Sequence, residues 1–396
     1  MTGSAATGSR LRVAQVITRF TAGAGWVALS GVLALDPDYF EVVFITGEGS
    51  DELVMKARQA GHEVLLMPHL RSEIAPADDR RALADLQACL KGFDVVHTHS
   101  SKAGALGRVA AHRLEIGRIV HTFHGFPFHQ FQSWLRRTAY IKIEQRVGRY
   151  TDVFLAVGPA VAAEAITRRI APPERVRTIG VGVAKALDAP GAHDRAEARR
   201  ILGVPPGMRV VGTVGRLAFQ KAPEDFVRAL AGLGRSDVFG IWIGDGPLRS
   251  RIERLAEKRG LSGRMLFTGE RNDVATLLPG FDIFAMASRY EGLPCAIVEA
   301  MGAGLPVVAT AVNAVPDVVI GGETGLLVPP GTPELLGRAI GYLLDNPAEA
   351  ARLGAAGRER LGADLAPDAL GAVLSEAYQG TDVGAPPTQS ELAGAP

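Results

Sequence analysis

Arg209-Val210-Val211-Gly212-Thr213-Val214-Gly215-Arg216-Leu217-Ala218-Phe219-Gln220-Lys221 decides the reading of this chain of 396 residues. The β-branched run Val210–Val214 reads as a buried strand, and Gly215-Arg216 reads as the turn that ends it. Just upstream, Gly182 to Gly207 holds Pro190, Gly191, Pro205, Pro206 and one charged helical stretch, Asp194–Ile201. That segment interrupts one series of strands, and Val210–Val214 opens a second.

In the first series, strands are expected at Val13–Ile17, Val42–Ile45, Val64–Met67, Val95–His97, Ile119–Thr122, Val153–Val157 and Arg177–Ile179. Amphipathic stretches such as Asp79–Leu90, Lys102–Leu114 and Ala160–Arg169 lie between them. The second series runs Val210–Val214, Val238–Ile243, Met265–Phe267, Ile283–Met286, Val307–Thr310 and Leu326–Val328. Helical patterns at Pro333–Leu344, Ala348–Leu361 and Pro367–Tyr378 follow. Strand–helix alternation builds a parallel sheet with right-handed crossovers. Two such doubly wound halves joined by a Pro/Gly segment predict an α/β protein with a ligand-binding cleft at the sheet ends.

Composition narrows the partners. Lys plus Arg number 43 against 42 Asp plus Glu, a net charge of +1, so nucleic acid is not expected as a partner. Hydrophobic residues make up 47%, enough for a large core. Cys89 and Cys295 form neither a disulfide framework nor a metal spacing. The longest apolar run, Leu305 to Ile320, contains two prolines and falls short of the roughly 20 residues that cross a bilayer. No secretory leader is read at the start, which suggests a cytoplasmic protein.

The phosphate-binding signals lie mostly in the second half. No P-loop is present, and a nicotinamide fingerprint fails after the first strand, where Thr21-Ala22-Gly23-Ala24-Gly25-Trp26 lacks the third glycine. Gly23 and Gly25 are still expected in a loop whose amides face an anion at a helix N-terminus. Arg216 and Lys221 place two cations after the strand end, as neutralising a diphosphate leaving group requires. Ser288-Arg289-Tyr290-Glu291-Gly292-Leu293-Pro294-Cys295-Ala296-Ile297-Val298-Glu299 follows, with two glutamates eight positions apart around a helix start. Free amides near Gly292 and Leu293 suit phosphate oxygens, and the carboxylates suit sugar hydroxyls. Glu299 is expected about two turns into that helix. A capping acid and a surface acid would account for each glutamate alone, but not for Glu299 among Ala296-Ile297-Val298 and Ala300-Met301.

Taken as an ordered set, these motifs resemble the retaining family 4 glycosyltransferases of GT-B fold. The set comprises Gly215-Arg216-Leu217 with Lys221, Gly244-Asp245-Gly246-Pro247, Glu291 with Glu299, and Glu323-Thr324-Gly325-Leu326-Leu327-Val328-Pro329. In the first half it adds Asp94-Val95-Val96-His97-Thr98-His99 and Thr122-Phe123-His124-Gly125. The resemblance implies two Rossmann-like doubly wound domains and transfer of a hexosyl sugar from a nucleotide diphosphate sugar with retention. It assigns His124, Arg216, Lys221 and Glu291 to catalysis, and Gly23, Gly25, Gly215, Gly244, Arg271, Gly292, Leu293 and Glu299 to the donor. Arg216 and Lys221 would hold the diphosphate, Glu299 the ribose, and Arg271 the base through its backbone. His124 would lie beside donor sugar and acceptor. A uridine diphosphate sugar is favoured over a guanosine one, with no cofactor and no metal. The acceptor stays open among secondary metabolites, glycolipids and polysaccharide precursors. A non-hydrolysing epimerase and a non-catalytic sugar-nucleotide binding protein are the alternatives; the complete motif set argues against both.

Under this resemblance the chain divides into a disordered 1–10, an acceptor-side domain 11–183, a linker region 184–207 and a nucleotide-sugar domain 208–366. A helix 367–379 returns towards the first domain, and 380–396 is a disordered tail. Two departures stand out: bulky Trp26, read as core, and Asn313-Ala314-Val315-Pro316-Asp317, where the family often has Gly-Gly-x-Pro-Glu. His97 and His99 are expected to point to opposite faces of their strand, which disfavours a shared metal ion. Cys295 is read as buried packing. Phe126 to Arg149 joins aromatics to a basic helix and suggests peripheral contact with the inner membrane face, against the plainer reading of a mobile acceptor loop and a helix with one solvated face.

Overall fold

The computed structural model describes residues 10–179, 192–292, 294–361 and 367–380. The chain forms two compact units, one of residues 1–182 with 367–396 and one of residues 183–366. Residues 1–9 of the expected N-terminal tail, the first part of the linker (184–191), Leu293 and all but the first residue of the C-terminal tail lie outside the described residues.

The first unit carries β1 (Leu11–Phe20), β2 (Phe40–Gly49), β3 (Glu63–Leu66), β4 (Val95–His99), β5 (Arg118–Phe123), β6 (Val153–Ala156) and β7 (Val176–Thr178). They form one parallel sheet in the order β3-β2-β1-β4-β5-β6-β7. The second unit carries β8 (Arg209–Val214), β9 (Val238–Ile243), β10 (Met265–Gly269), β11 (Ile283–Met286), β12 (Val307–Thr310) and β13 (Gly325–Val328). Their parallel order is β10-β9-β8-β11-β12-β13. In both sheets the chain winds outward one way and then returns to wind the other. The switch points fall between β1 and β4 and between β8 and β11, where open α/β sheets bind ligands at the carboxyl ends.

The sequence explains the layering. All six residues of β9 and all four of β11 and β12 are buried, because helices cover both faces of the sheet. One apolar cluster beneath β8 to β12 centres on Ile241, Phe281, Phe284, Ile297 and Met301; another on the opposite face centres on Phe226, Trp242, Ile252, Ile283 and Ile340. Burying each such side chain is worth about 1.5–3 kcal/mol, so the two layers hold the strand ends rigidly.

Four expectations need correction. Residues 22–33 form a helix, so Gly23 and Gly25 sit in its first turns and not in a loop. Gly25 is there for close approach: a Cβ on it would lie 2.9 Å from both the Phe20 carbonyl carbon and the Leu53 side chain. Trp26 is half-buried with the Lys56 ammonium 4.6 Å from its ring centroid, and is not core. His97 and His99, two apart in β4, share one face, with ring centroids 4.2 Å apart. Finally, the helix expected at Asp194–Ile201 in the linker region starts at Ala192 and is fastened to the second unit, where Arg195 and Arg199 grip Asp282 at 2.5 and 2.6 Å.

The C-terminal helix Pro367–Gln379 belongs to the first unit. It packs on the helix Ala22–Leu33 and touches β5.

Candidate active site

Within the second unit, the chain leaving β8 and the chain leaving β11 meet at the switch point. Phe219–Lys221 is one turn of 3-10 helix, and Ala222 follows at φ 46°, a left-handed conformation costly for a residue with a Cβ. That kink presents Lys221. Its Nζ lies 2.6 Å from Oε1 of Glu291, whose side chain is 5% exposed. Ser288 Oγ donates to the same oxygen at 2.5 Å, and Gln220 Nε2 donates to Oε2 at 3.2 Å. Asn313, also left-handed at φ 45°, accepts the Glu291 amide at 3.0 Å. Arg289 clamps the two loops together. Its guanidinium lies 4.4 Å from the Phe219 ring centroid and donates to the Phe219 carbonyl and to Glu224, while its amide donates to Gln220.

Buried carboxylates need neutralising and hydrogen-bonded partners. Glu291 has both, yet three donors do not fill the roughly four lone-pair sites of a carboxylate. Lys221 likewise spends one of its three N–H bonds on Glu291 and has others to give. Arg216 is exposed, and among the described residues its guanidinium makes no hydrogen bond or ion pair.

Gly215 and Gly244 form the floor next to these groups. Trp242 Nε1 donates to the Gly215 carbonyl at 2.7 Å, and the Gly244 amide donates to Gly269 at 2.8 Å. Gly244 has φ 132°, and a Cβ there would stand 2.2 Å from the Gly215 oxygen. Only glycine fits. Arg271 follows β10 on the surface, where its side chain chelates Asp273 at 2.7 and 2.5 Å, leaving its backbone as the part available to a ligand.

The helix Cys295–Gly302 starts after Pro294, so Glu299 sits one turn in, not two. Burial pushes the Glu299 carboxyl up to about 7. Burial, with Glu299 next in weight, pushes the Cys295 thiol up to about 12, so it stays a neutral thiol. Gly292 is half-buried beside Glu291.

In the first unit, His124 follows β5 and its Nε2 lies 2.9 Å from His99 Nδ1. His99 Nε2 lies 2.6 Å from Gln15 Oε1, and Gln15 Nε2 lies 2.6 Å from Tyr378 Oη. Tyr378 Oη is 2.7 Å from His97 Nδ1, and His97 Nε2 is 2.7 Å from Thr122 Oγ1. Burial lowers His97 to about 3 and His124 to about 4, and holds His99 and His121 well below the usual imidazole range. All four rings are neutral at pH 7.

Sequence reasoning missed Ser288, Gln220, Asn313, Arg289, Gln15 and Tyr378 as site residues. Asn313 left a signal, since asparagine tolerates the left-handed region better than other residues with a Cβ. Tyr378 left none, being 363 positions from Gln15. Among the described residues no cluster of three or more His, Cys, Asp or Glu could hold a metal ion.

The model of the group 1 glycosyl transferases matches residues 194–360, and that of glycosyltransferase family 4 matches residues 21–186. The UDP-Gal:alpha-D-GlcNAc-diphosphoundecaprenol alpha-1,3-galactosyltransferase of Escherichia coli is 30% identical over 319 residues, 78% of this chain and 81% of its own. The chain belongs to glycosyltransferase family 4. The D-inositol 3-phosphate glycosyltransferase of Mycobacterium tuberculosis is 32% identical over 253 residues, 60% of this chain and 51% of its own, about half its length. Among solved structures, Anabaena HepE in complex with UDP and glucose gives a TM-score of 0.82 at 19% identity, covering 94% of this chain and 100% of its own. WaaG, a glycosyltransferase involved in lipopolysaccharide biosynthesis, gives 0.76 at 19% identity, covering 93% and 100%. The two parallel-sheet units are those of the GT-B fold. This family 4 chain is therefore a glycosyltransferase that uses a nucleotide sugar.

Proposed function

We propose that this family 4 enzyme moves a hexosyl unit from a uridine diphosphate sugar to a hydroxyl of a lipid-diphosphate-linked saccharide, with retention of anomeric configuration. The observation that carries the reading is the part-buried Lys221–Glu291 pair with spare hydrogen-bonding capacity on both partners, close in sequence to Arg216, which is unpaired among the described residues. A diphosphate needs the two cations, and the departing charge makes their hold tighter in the transition state than in the ground state. The free lone pair on Glu291 suits a hydroxyl of the transferred sugar, and Glu299 suits the ribose.

In the proposed step the bond from the anomeric carbon to the diphosphate oxygen breaks. The acceptor oxygen bonds to that carbon on the same face, and its proton passes to the departing diphosphate. No protein base is required. Lys221 and Arg216 stabilise the leaving diphosphate, and His124 meets the acceptor side as a neutral hydrogen-bonding group.

The uridine donor is supported by the UDP-Gal named for the Escherichia coli relative and by UDP in the HepE complex. That relative's name also includes a diphosphoundecaprenol acceptor. A surface feature agrees with it. The helix Trp134–Gly148 exposes Trp134, Leu135 and Ile143 beside exposed Arg136, Lys142 and Arg146, with exposed Phe131 just ahead. Apolar anchors among cations suit an anionic bilayer surface, and no helix among the described residues is long and apolar enough to cross one.

The test is a panel of uridine diphosphate hexoses incubated with polyprenyl-diphosphate saccharides, scored by nucleoside diphosphate release and by the anomer formed. Retention is expected, with kcat/KM falling roughly 100-fold or more in Lys221→Ala. An inverted product overturns the mechanism, and undiminished turnover in Lys221→Ala overturns the site.

A further inference from the structure

The six side chains Thr122, His97, Tyr378, Gln15, His99 and His124 form one unbroken hydrogen-bonded line. Five of them are at most 3% exposed, and only His124, at the end, reaches the surface to a substantial degree. A neutral imidazole has one N–H and one lone pair, so each ring passes on the direction it receives. The same holds for the amide of Gln15, which has its donor at one end and its acceptor at the other.

The directions can be followed atom by atom. Gln15 turns Nε2 to Tyr378 and Oε1 to His99. Oε1 can only accept, so His99 carries its proton on Nε2 and its Nδ1 is bare. Bare Nδ1 must accept from His124, which therefore holds its proton on Nε2. Towards the other end, the Tyr378 oxygen accepts from Gln15 and gives its own proton to His97 Nδ1. His97 then donates from Nε2 to Thr122. Every group along the line is used once as donor and once as acceptor, apart from the termini.

We propose that Gln15 and Tyr378 are positioning residues that hold His124 in the Nε2–H tautomer and so leave its Nδ1 lone pair for a ligand hydroxyl. Among the described residues Nδ1 of His124 has no hydrogen-bond partner. Its supply of a lone pair of fixed direction follows from the amide of a buried glutamine two residues away along the line. The role of His124 towards the acceptor rests on the functional reading above; the control of its tautomer does not. Burial, which keeps all the rings neutral, is what allows a tautomer to be defined at pH 7. The consequence for substrate choice is chemical: His124 would accept a hydrogen bond from a hydroxyl and would not donate one to an ether or carbonyl oxygen.

The experiment is nitrogen-15 NMR of the histidine rings in the full chain without substrate, where long-range proton correlations separate protonated from bare nitrogens. The wild-type protein should show His124 as a single Nε2–H species. Tyr378→Phe, which keeps the ring against Phe40, and Gln15→Leu should each give a mixture of tautomers. Circular dichroism and thermal melting check that both variants are folded. A mixture or the Nδ1–H form in wild type overturns the proposal without any variant, as does a single unchanged tautomer in both folded variants. In parallel, Tyr378→Phe should lower kcat several-fold with the donor KM unchanged. If His124→Ala leaves the acceptor-dependent rate intact while the spectra come out as expected, the functional reading of His124 fails and the tautomer control stands.

Discussion

Glu299 shows at the level of one side chain how a site can carry its own pH response. Its carboxyl is pushed up to about 7 by burial, so near neutrality it is part acid and part carboxylate. Ribose hydroxyls donate, and the ionised form accepts them better. Affinity for a uridine diphosphate sugar should rise about tenfold from pH 6 to pH 8, following the ionised fraction of a group with that pKa. Calorimetric titration of wild type against Glu299→Gln checks it: the slope should vanish in the variant. A sugar-linked donor is the right probe because its diphosphate does not titrate in this range. An identical slope in the two proteins would detach Glu299 from the ribose. Glu299 was legible because a carboxylate interrupts an otherwise apolar helix. The Lys221–Glu291 contact was not, since the two lie 70 positions apart and only the neighbouring ends of β8 and β11 bring them together. The same limit applies to Ser288 and Gln220, whose value comes from the oxygen they touch.

Elements were easier to read than their ends. Each of the thirteen strands among the described residues overlaps an apolar stretch expected from the sequence, but β1 and β2 run on to Phe20 and Gly49 past the expected limits. The extension mixes an exposed pair, Arg19 and Glu48, opposite in register at 3.0 Å, with buried Phe20, so a period-2 apolar pattern does not announce it. The helix Ala22–Leu33 was obscured in the opposite way, because glycines that serve close approach look like turn residues. The helix Trp134–Gly148 gives a prediction of its own. Its exposed Trp134 and Leu135 should anchor the enzyme to vesicles rich in anionic lipid, and Trp134→Glu with Leu135→Glu should lower the bound fraction at least several-fold. Sedimentation with such vesicles measures this, and with neutral vesicles as the control. Equal binding by the double variant would leave the exposed aromatics as plain surface.

At the scale of the molecule the four neutral histidines govern acid stability. His97, His99, His121 and His124 have folded pKa values below the usual 6.5, so between about pH 4 and 6.5 the unfolded chain binds more protons than the folded one. Stability then rises with pH across that window, by up to about 1.4 kcal/mol per pH unit for each histidine. Glu299 and Asp225 work the other way, since burial raises their folded pKa values, but they are two groups against these four histidines, and burial lowers His62 and His129 as well. Urea midpoints should therefore fall as pH drops from 7 to 5, and a flat profile would contradict the burial of these rings.

The first unit is discontinuous: residues 1–182 need 367–379, and the second unit, 183–366, lies in between. A ribosome delivers residues in sequence order, and domains usually fold as they emerge, first one first. Here the usual order is reversed for completion. The second sheet can close before Tyr378 exists, while Gln15 and His97 wait for the partner they share. Ribosome-bound chains, extended by a linker until residue 366 but not the last helix has cleared the exit tunnel, should accordingly show a protease-resistant second unit and a still-cleavable first one, with resistance of the first appearing only once the last helix has emerged as well.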